Sequence, residues 1–428
     1  MITRKWFPVL GVLLFTINLF AQRQFTVDLD LRSRFEYRHG FGTLFPDGVD
    51  PAAFVTNRAR LALGYKHERF ALKFDIQDVS TWGDTRQINP VDGNDSFMLF
   101  QAWGEVYLDE HWTIKAGRQV LSYDDERILG GLDWAMQGRF HDALLVRFKN
   151  ETVALDVGGA FNQERIREFN TDFTIQGFFT YKAMQFAHFK KAWERTKGSF
   201  LFLSTGFQAF EDEERTVTDG VYYTLTTGTY WVFPIGNVNM NASAYYQFGE
   251  SAKDMDLSAY QIAADATYKP SRIMIGGGFE ILSGTDQDGD SKNKSFFPLY
   301  GTNHKFNGYM DYFYVGNHAN NVGLNDFYAK SAFDIGSNGN ILVKAHYFGA
   351  NAKLTGDASS YLGTEVDLVY SHLIVKNVKL NIGYSHMFAS SSMSLVKNGI
   401  TNDNTNNWAW AQLTFTPRVF THDMEKKD

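Results

Sequence analysis

Phe25-Thr26-Val27-Asp28-Leu29-Asp30-Leu31-Arg32-Ser33-Arg34-Phe35-Glu36-Tyr37-Arg38 is the stretch that decides the fold. Phe25, Val27, Leu29, Leu31, Phe35 and Tyr37 share one parity, and Thr26, Asp28, Asp30, Arg32, Arg34, Glu36 and Arg38 share the other. A β-strand sends successive side chains to opposite faces, so this is a strand with one apolar and one charged face. A soluble sandwich rarely sets such a row of polar and charged groups on one face. A barrel with lipid outside and water inside requires it.

Working outward, the same period recurs. Phe70, Leu72, Phe74 and Ile76 alternate with Lys73, Asp75 and Gln77; Val238, Met240, Ala242 and Ala244 alternate with Asn239, Asn241 and Ser243; Val378, Leu380, Ile382 and Tyr384 alternate with Lys379, Asn381 and Ser385. Short turns at 67–68, 110–111, 149–150, 234–237 and 269–272 join some neighbours. Long polar segments at 40–53, 81–95, 211–220, 249–257 and 389–406 join others. Short turns on one side and long loops on the other mark an antiparallel transmembrane β-barrel.

Counting the pattern gives about 19 strands if 305–315 is one of them, which is the wrong parity for a single-chain bacterial barrel. Parity is restored if 283–323 is one long extracellular excursion folding into the mouth or lumen, so about 18 strands are expected. Residues 183–195 place Phe186, Phe189 and Trp193 near helical spacing, but context favours a strand over about 176–189 with a short turn after it.

The ends fit an exported chain. Arg4 and Lys5 precede an apolar stretch, 6–20, broken by Pro8, Thr16 and Asn18. It falls short of the ~20 apolar residues of a spanning helix and reads as a secretory signal cut after Ala21, with a membrane-anchoring helix as the alternative. The expected organisation is a signal peptide over 1–21, a barrel over 22–420 and a polar periplasmic tail over 421–428, in the bacterial outer membrane. The 428 residues contain no cysteine, which excludes disulfides and thiol chemistry, and a net charge of −7 excludes a generally basic nucleic-acid binder. Aromatics at 16%, including 38 Phe and 21 Tyr, suit the girdles of a barrel. Mean hydropathy is −0.29.

The run Gly117-Arg118-Gln119-Val120-Leu121-Ser122-Tyr123-Asp124-Asp125-Glu126-Arg127, with Leu132-Asp133-Trp134 and Gly138-Arg139-Phe140-His141-Asp142 after it, resembles the alginate export family of outer-membrane proteins. Stretches 297–306, 362–368 and 383–386 are similar too, and the resemblance covers nearly all of the mature chain. It implies an 18-stranded monomeric barrel whose arginine-rich lumen passes a polyuronate. It does not fix the substrate of this chain. The C-terminus departs from a common barrel pattern, because Pro417 and a polar tail follow the last strand.

Alternation assigns a lumen face to Arg32, Arg34, Arg58, Arg60, Lys73 and Lys115, as well as Arg272 and Lys344. Arg118 falls on the apolar parity near the upper end of its strand, where a bulge would be needed to turn it inward. Arg127 and Arg139 flank the third loop, and His304, Lys305 and Asp311 lie in the long excursion. Guanidinium groups bind carboxylates bidentately, as an anionic saccharide would need. The competing reading is a structural network, since Asp28, Asp30, Glu36, Asp75, Glu105, Glu365 and Asp367 face the lumen as well.

Asp286, Asp288 and Asp290 have calcium-loop spacing, but Ser291 and Phe297 stand where glycine and a bidentate Glu are needed. Asp124, Asp125, His141 and Asp142 carry no nucleophile signature, and Gly276-Gly277-Gly278 precedes no helix. No enzyme, cofactor or metal site is therefore expected, with an acidic solvated turn favoured at 286–290 and a surface calcium site as its alternative. Expected partners are an anionic polysaccharide or oligosaccharide and outer-membrane lipid. A passive channel for such an anion leads. A general or other-substrate porin and a non-conducting surface adhesin are the alternatives.

Overall fold

The structure, a computed structural model, describes residues 23–424 except 86–95, 176, 178, 179, 213, 216, 290, 315, 319, 320, 398 and 402. The expected signal peptide and residues 425–428 of the tail lie outside the described residues.

The first half of the wall is β1 (Arg23–His39), β2 (Ala52–Lys66), β3 (Phe70–Thr81), β4 (Met98–Tyr107), β5 (Trp112–Gln119), β6 (His141–Lys149), β7 (Val153–Phe161), β8 (Ala183–Ala192) and β9 (Lys197–Phe210). The second is β10 (Thr218–Ile235), β11 (Val238–Ala252), β12 (Met255–Tyr268), β13 (Ile273–Leu282), β14 (Leu324–Ile335), β15 (Gly339–Gly349), β16 (Tyr361–Val375), β17 (Val378–Ala389) and β18. β18 has two arms, Asn406–Phe415 and Arg418–Met424. Each strand pairs antiparallel with the next, and both arms of β18 pair with β1, Leu31 opposite Phe415 and Arg23 opposite Met424. The result is a closed 18-stranded barrel with no open sheet edge along most of its height.

Pro417 separates the two arms. Proline has no N–H to give the ladder, so the strand is interrupted there, while the Pro417 carbonyl still accepts from the Leu29 amide at 3.0 Å; the register is kept across it and slips only beyond Arg418, where Val27 faces Phe420. The expected tail boundary at 421 is therefore corrected: 421–424 are still strand, held by Arg23–Thr26.

Segment 283–323 is an excursion between two wall strands, as parity requires. β13 ends at Leu282, β14 begins at Leu324, and between them the described residues form only a 3-10 turn, Asn303–Lys305. β8 begins at Ala183, later than expected, and runs to Ala192. The expected loop 249–257 is instead a tight hairpin, with the β11–β12 ladder continuing to Ala252 opposite Met255. Its turn needs positive φ at Asp254, which an Asp tolerates.

The outer face is the apolar parity, with Leu31 at 41% and Phe35 at 45% exposure. Large side chains left this bare around a whole wall would drive aggregation in water and are at home in lipid. The inner face departs from a plain porin pattern. Loops 120–140 and 283–323 fold into the lumen and bury Leu121, Leu129, Phe297, Tyr300, Met310 and Phe313 against wall residues such as Leu145, Leu203, Phe348 and Trp408. The loops also meet each other, with Leu129 bridging to Tyr300. Gly301 permits that approach, because a Cβ there would lie 2.2 Å from the Arg127 carbonyl.

Candidate functional site in the lumen

The charged parity of β1 meets that of β2 in register, Asp30 opposite Arg60 and Arg32 opposite Arg58. Arg32, Arg34, Arg38, Arg58 and Arg60 thus form a ladder on one inner wall. Its members are heavily engaged. Arg32 forks onto Asp30, with both contacts at 2.9 Å. Arg58 also reaches Asp30, and Arg34 and Arg38 share Glu36 at 2.9 and 2.8 Å. Arg60 alone holds no carboxylate. It donates to Gln77 and lies 3.6 Å over the Phe100 ring.

Loop 120–140 lies on this ladder. The Asp133 carboxylate takes Arg32 at 2.8 Å and Arg58 at 3.1 Å while remaining 65% exposed to the lumen. Burial works against its charge, but Arg32 and Arg58 hold the Asp133 carboxyl below its usual value. Next to it, the Trp134 carbonyl accepts from Arg34 at 2.8 Å, and the Trp134 ring lies under the same guanidinium. That ring stacks on His304 at 4.3 Å, and His304 pairs with Asp311 at 2.8 Å. One cluster therefore joins Arg32, Arg34, Arg58, His304 and Asp311. Arg34 and Arg58 are buried beneath it, at 5% and 1% exposure. Sequence reasoning missed Asp133 and Trp134 as site residues. The signal available was their position in the motif quoted above.

The opposite wall is different. A cavity of about 370 Å³ lies between β10–β15 and the segment 305–309 of the inward loop. Lys305, Lys330 and Lys344 line it together with Asp125, Asp265, Tyr230 and Tyr309. Lys330 is paired with Asp265 at 2.6 Å. Lys344 lies 4.3 Å over the Tyr328 ring and Lys305 5.5 Å from the Phe306 ring, and among the described residues neither makes an ion pair. Burial pushes the Asp125 carboxyl up to about 6.

The other expected residues fall elsewhere. Lys73 pairs with Asp75 at 3.4 Å on the inner face of β3, and Lys115 lies 3.9 Å over Trp103. Arg139 donates to the Gly301 carbonyl at 3.0 Å and so ties the two inward loops. Arg127 is a buried strut. It forks onto Glu280 at 2.7 and 2.9 Å and donates to Asn303 and Asn307. Arg118 does not turn inward. The β5–β6 ladder runs without a bulge, Arg118 lies opposite Asp142 on the outer face, and the two form a bidentate pair at 2.9 Å.

The cluster around Asp124 does not make a catalytic triad. Asp124 stands between Ser199 at 2.8 Å and His188 at 3.0 Å, so the hydroxyl faces a carboxylate and not an imidazole base. Of the calcium-like trio, Asp290 lies outside the described residues, and Asp286 accepts the Lys353 amide at 2.8 Å.

Comparisons with known proteins agree with this architecture. The model of the family described as "Alginate export" matches residues 23–393. No curated protein sequence matches the chain. Among solved structures, Acinetobacter baumannii OccAB4 is similar at 11% identity, with a TM-score of 0.63 over 95% of this chain and 100% of that one. A BenF-like porin from Pseudomonas fluorescens Pf-5 aligns at 13% identity, with a TM-score of 0.60 over 92% and 99%. Pseudomonas aeruginosa OccK2 (OpdF), solved in complex with glucuronate, aligns at 13% identity, with a TM-score of 0.58 over 92% and 98%. At these identities the likeness is one of fold.

Proposed function

The chain belongs to the alginate export family, and from that premise we propose that this outer-membrane channel passes anionic saccharides of the uronate class, as a monomer and down their gradient. An alginate export barrel is a transport channel and not an enzyme. The observation that carries the substrate class is the inner wall of β1 and β2. Five guanidiniums stand there against the carboxylates of Asp30, Glu36 and Asp133, leaving an excess of positive charge along one side of the lumen. A field of one sign in a low-dielectric passage raises the local concentration of the opposite ion. Passage also needs weak, repeated contacts and not one tight site, and partial neutralisation by acids on the same ladder supplies that weakness. A similar fold has been solved with glucuronate, a single uronate.

Planar-bilayer recording with the purified barrel tests the proposal. Anion-selective conductance, blocked by mannuronate and guluronate oligomers but not by maltotriose, is the expected result. The pairing of four of the five ladder arginines favours a second reading, a general porin whose network is only structural. That reading gives weak selectivity and equal indifference to both sugars.

A further inference from the structure

The ladder sets a field, but its guanidiniums are already engaged. Groups facing a water-filled cavity without partners are better placed to hold a solute. We propose that the cavity on the β10–β15 wall is a uronosyl-binding subsite, with Lys305 and Lys344 as the cations that take the sugar carboxylate. The inference rests on the uronate reading above and adds where the sugar is bound.

Three observations support it. First, Lys305 and Lys344 line one cavity from two directions, the inward loop and β15, and among the described residues neither holds a carboxylate. Each lies over or beside an aromatic ring. An ammonium keeps three donors, and a carboxylate is the natural acceptor for them. Second, the cavity offers what the rest of a uronosyl ring needs. Tyr230 and Tyr309 line it, and neither hydroxyl has a hydrogen-bond partner among the described residues. Asn241 reaches Asp265 only at 3.4 Å. Tyr309 adds an aromatic face beside His304. Third, about 370 Å³ lies within the ~300–1,000 Å³ range of small-ligand pockets. Most of the acids nearby are already engaged by other groups. Asp265 is occupied by Lys330 and Tyr328, Glu280 by Arg127, Asp326 by His346 and Asn307, and Asp367, opposite Lys344 on β16, by Ser385, which leaves Asp125 as an acceptor for a sugar hydroxyl.

The test is single-channel block by trimannuronate, with maltotriose as control, in wild type, Lys305→Gln, Lys344→Gln and Lys344→Arg. Heat-modifiability on a gel checks that each variant is a folded barrel. Losing one charge-assisted contact should weaken trimannuronate block by about tenfold in each Gln variant. Lys344→Arg should keep most of it, and maltotriose should remain without effect throughout. Wild-type block that survives unchanged in both Gln variants overturns the subsite and leaves the uronate channel standing. A wild-type channel that trimannuronate does not block overturns both.

Discussion

The two inner walls carry cations in different states. On β1–β2 nearly every guanidinium holds a carboxylate, and Arg34 and Arg58 are covered by the loop that Asp133 and Trp134 fasten to them. Across the lumen, Lys305 and Lys344 lie against aromatic rings and, among the described residues, form no ion pair. Charge content alone does not distinguish these walls, but pairing does. A saturated network resists rearrangement, because removing one member strands the others. An unsaturated one is ready to exchange water for a solute.

The strongest way to break the comparison is to unfasten the inward loops. Arg127 lies buried between Glu280, Asn303 and Asn307. Arg127→Met strands a buried carboxylate, which costs about 3–5 kcal/mol where such pairs have been broken. The wall strands are held by their own ladders, so the loss should fall on loop 283–323. Single-channel conductance is expected to rise several-fold with a noisier open state, and the loop should become a protease target in detergent while the barrel stays folded. A quiet, unchanged trace would mean that the apolar contacts of Tyr300, Met310 and Phe313 hold the loop without the strut.

How much of this was readable beforehand follows from the same contrast. Alternation in 25–38 named the barrel, and parity removed 305–315 from the wall, because closure and strand direction are global constraints that single loops cannot evade. The ladder was legible because β1 and β2 keep strict period two. Pairing was not, since Asp133 meets Arg32 and Arg58 across about a hundred and about seventy-five positions of sequence. The apolar inner wall was also hidden. In 199–203, Ser-Phe-Leu-Phe-Leu, both parities are apolar, because one faces lipid and the other faces the inward loops. Arg118 was misjudged for a related reason. Near the outer rim a charged side chain satisfies itself on the lipid face with a cross-strand partner, Asp142, and needs no bulge.

A smaller effect sharpens the comparison through pH. The Asp125 carboxyl is raised to about 6 by burial, with Lys305, Arg127 and Glu280 as its charged neighbours. A raised carboxyl is neutral below that value and anionic above it. Between pH 7.5 and 5.5 the cavity wall therefore loses negative charge beside Lys305. Asp133 stays ionised, since Arg32 and Arg58 hold it low against burial. Trimannuronate block should tighten a few-fold over that interval, and Asp125→Asn should flatten the dependence. A pH response that survives in Asp125→Asn would place the titrating group elsewhere and weaken the distinction between the walls.

The smallest expected effect is at Arg118, the one expected path residue that the fold puts outside. Its guanidinium meets Asp142, the Leu99 carbonyl at 3.1 Å and the Phe140 ring at 4.2 Å, all away from the lumen stream. Exposed pairs of this kind contribute roughly 0–1 kcal/mol. Arg118→Gln should therefore leave conductance, anion selectivity and trimannuronate block within error of wild type. Any loss should appear only as a slight fall in thermal stability of the folded barrel on a heat-modifiability gel. A clear change in selectivity would put Arg118 in the field that solutes cross. It would also mean that strand parity, which sorts the arginines of β1, β2 and β5 into lumen and lipid faces, does not decide which of them the channel uses.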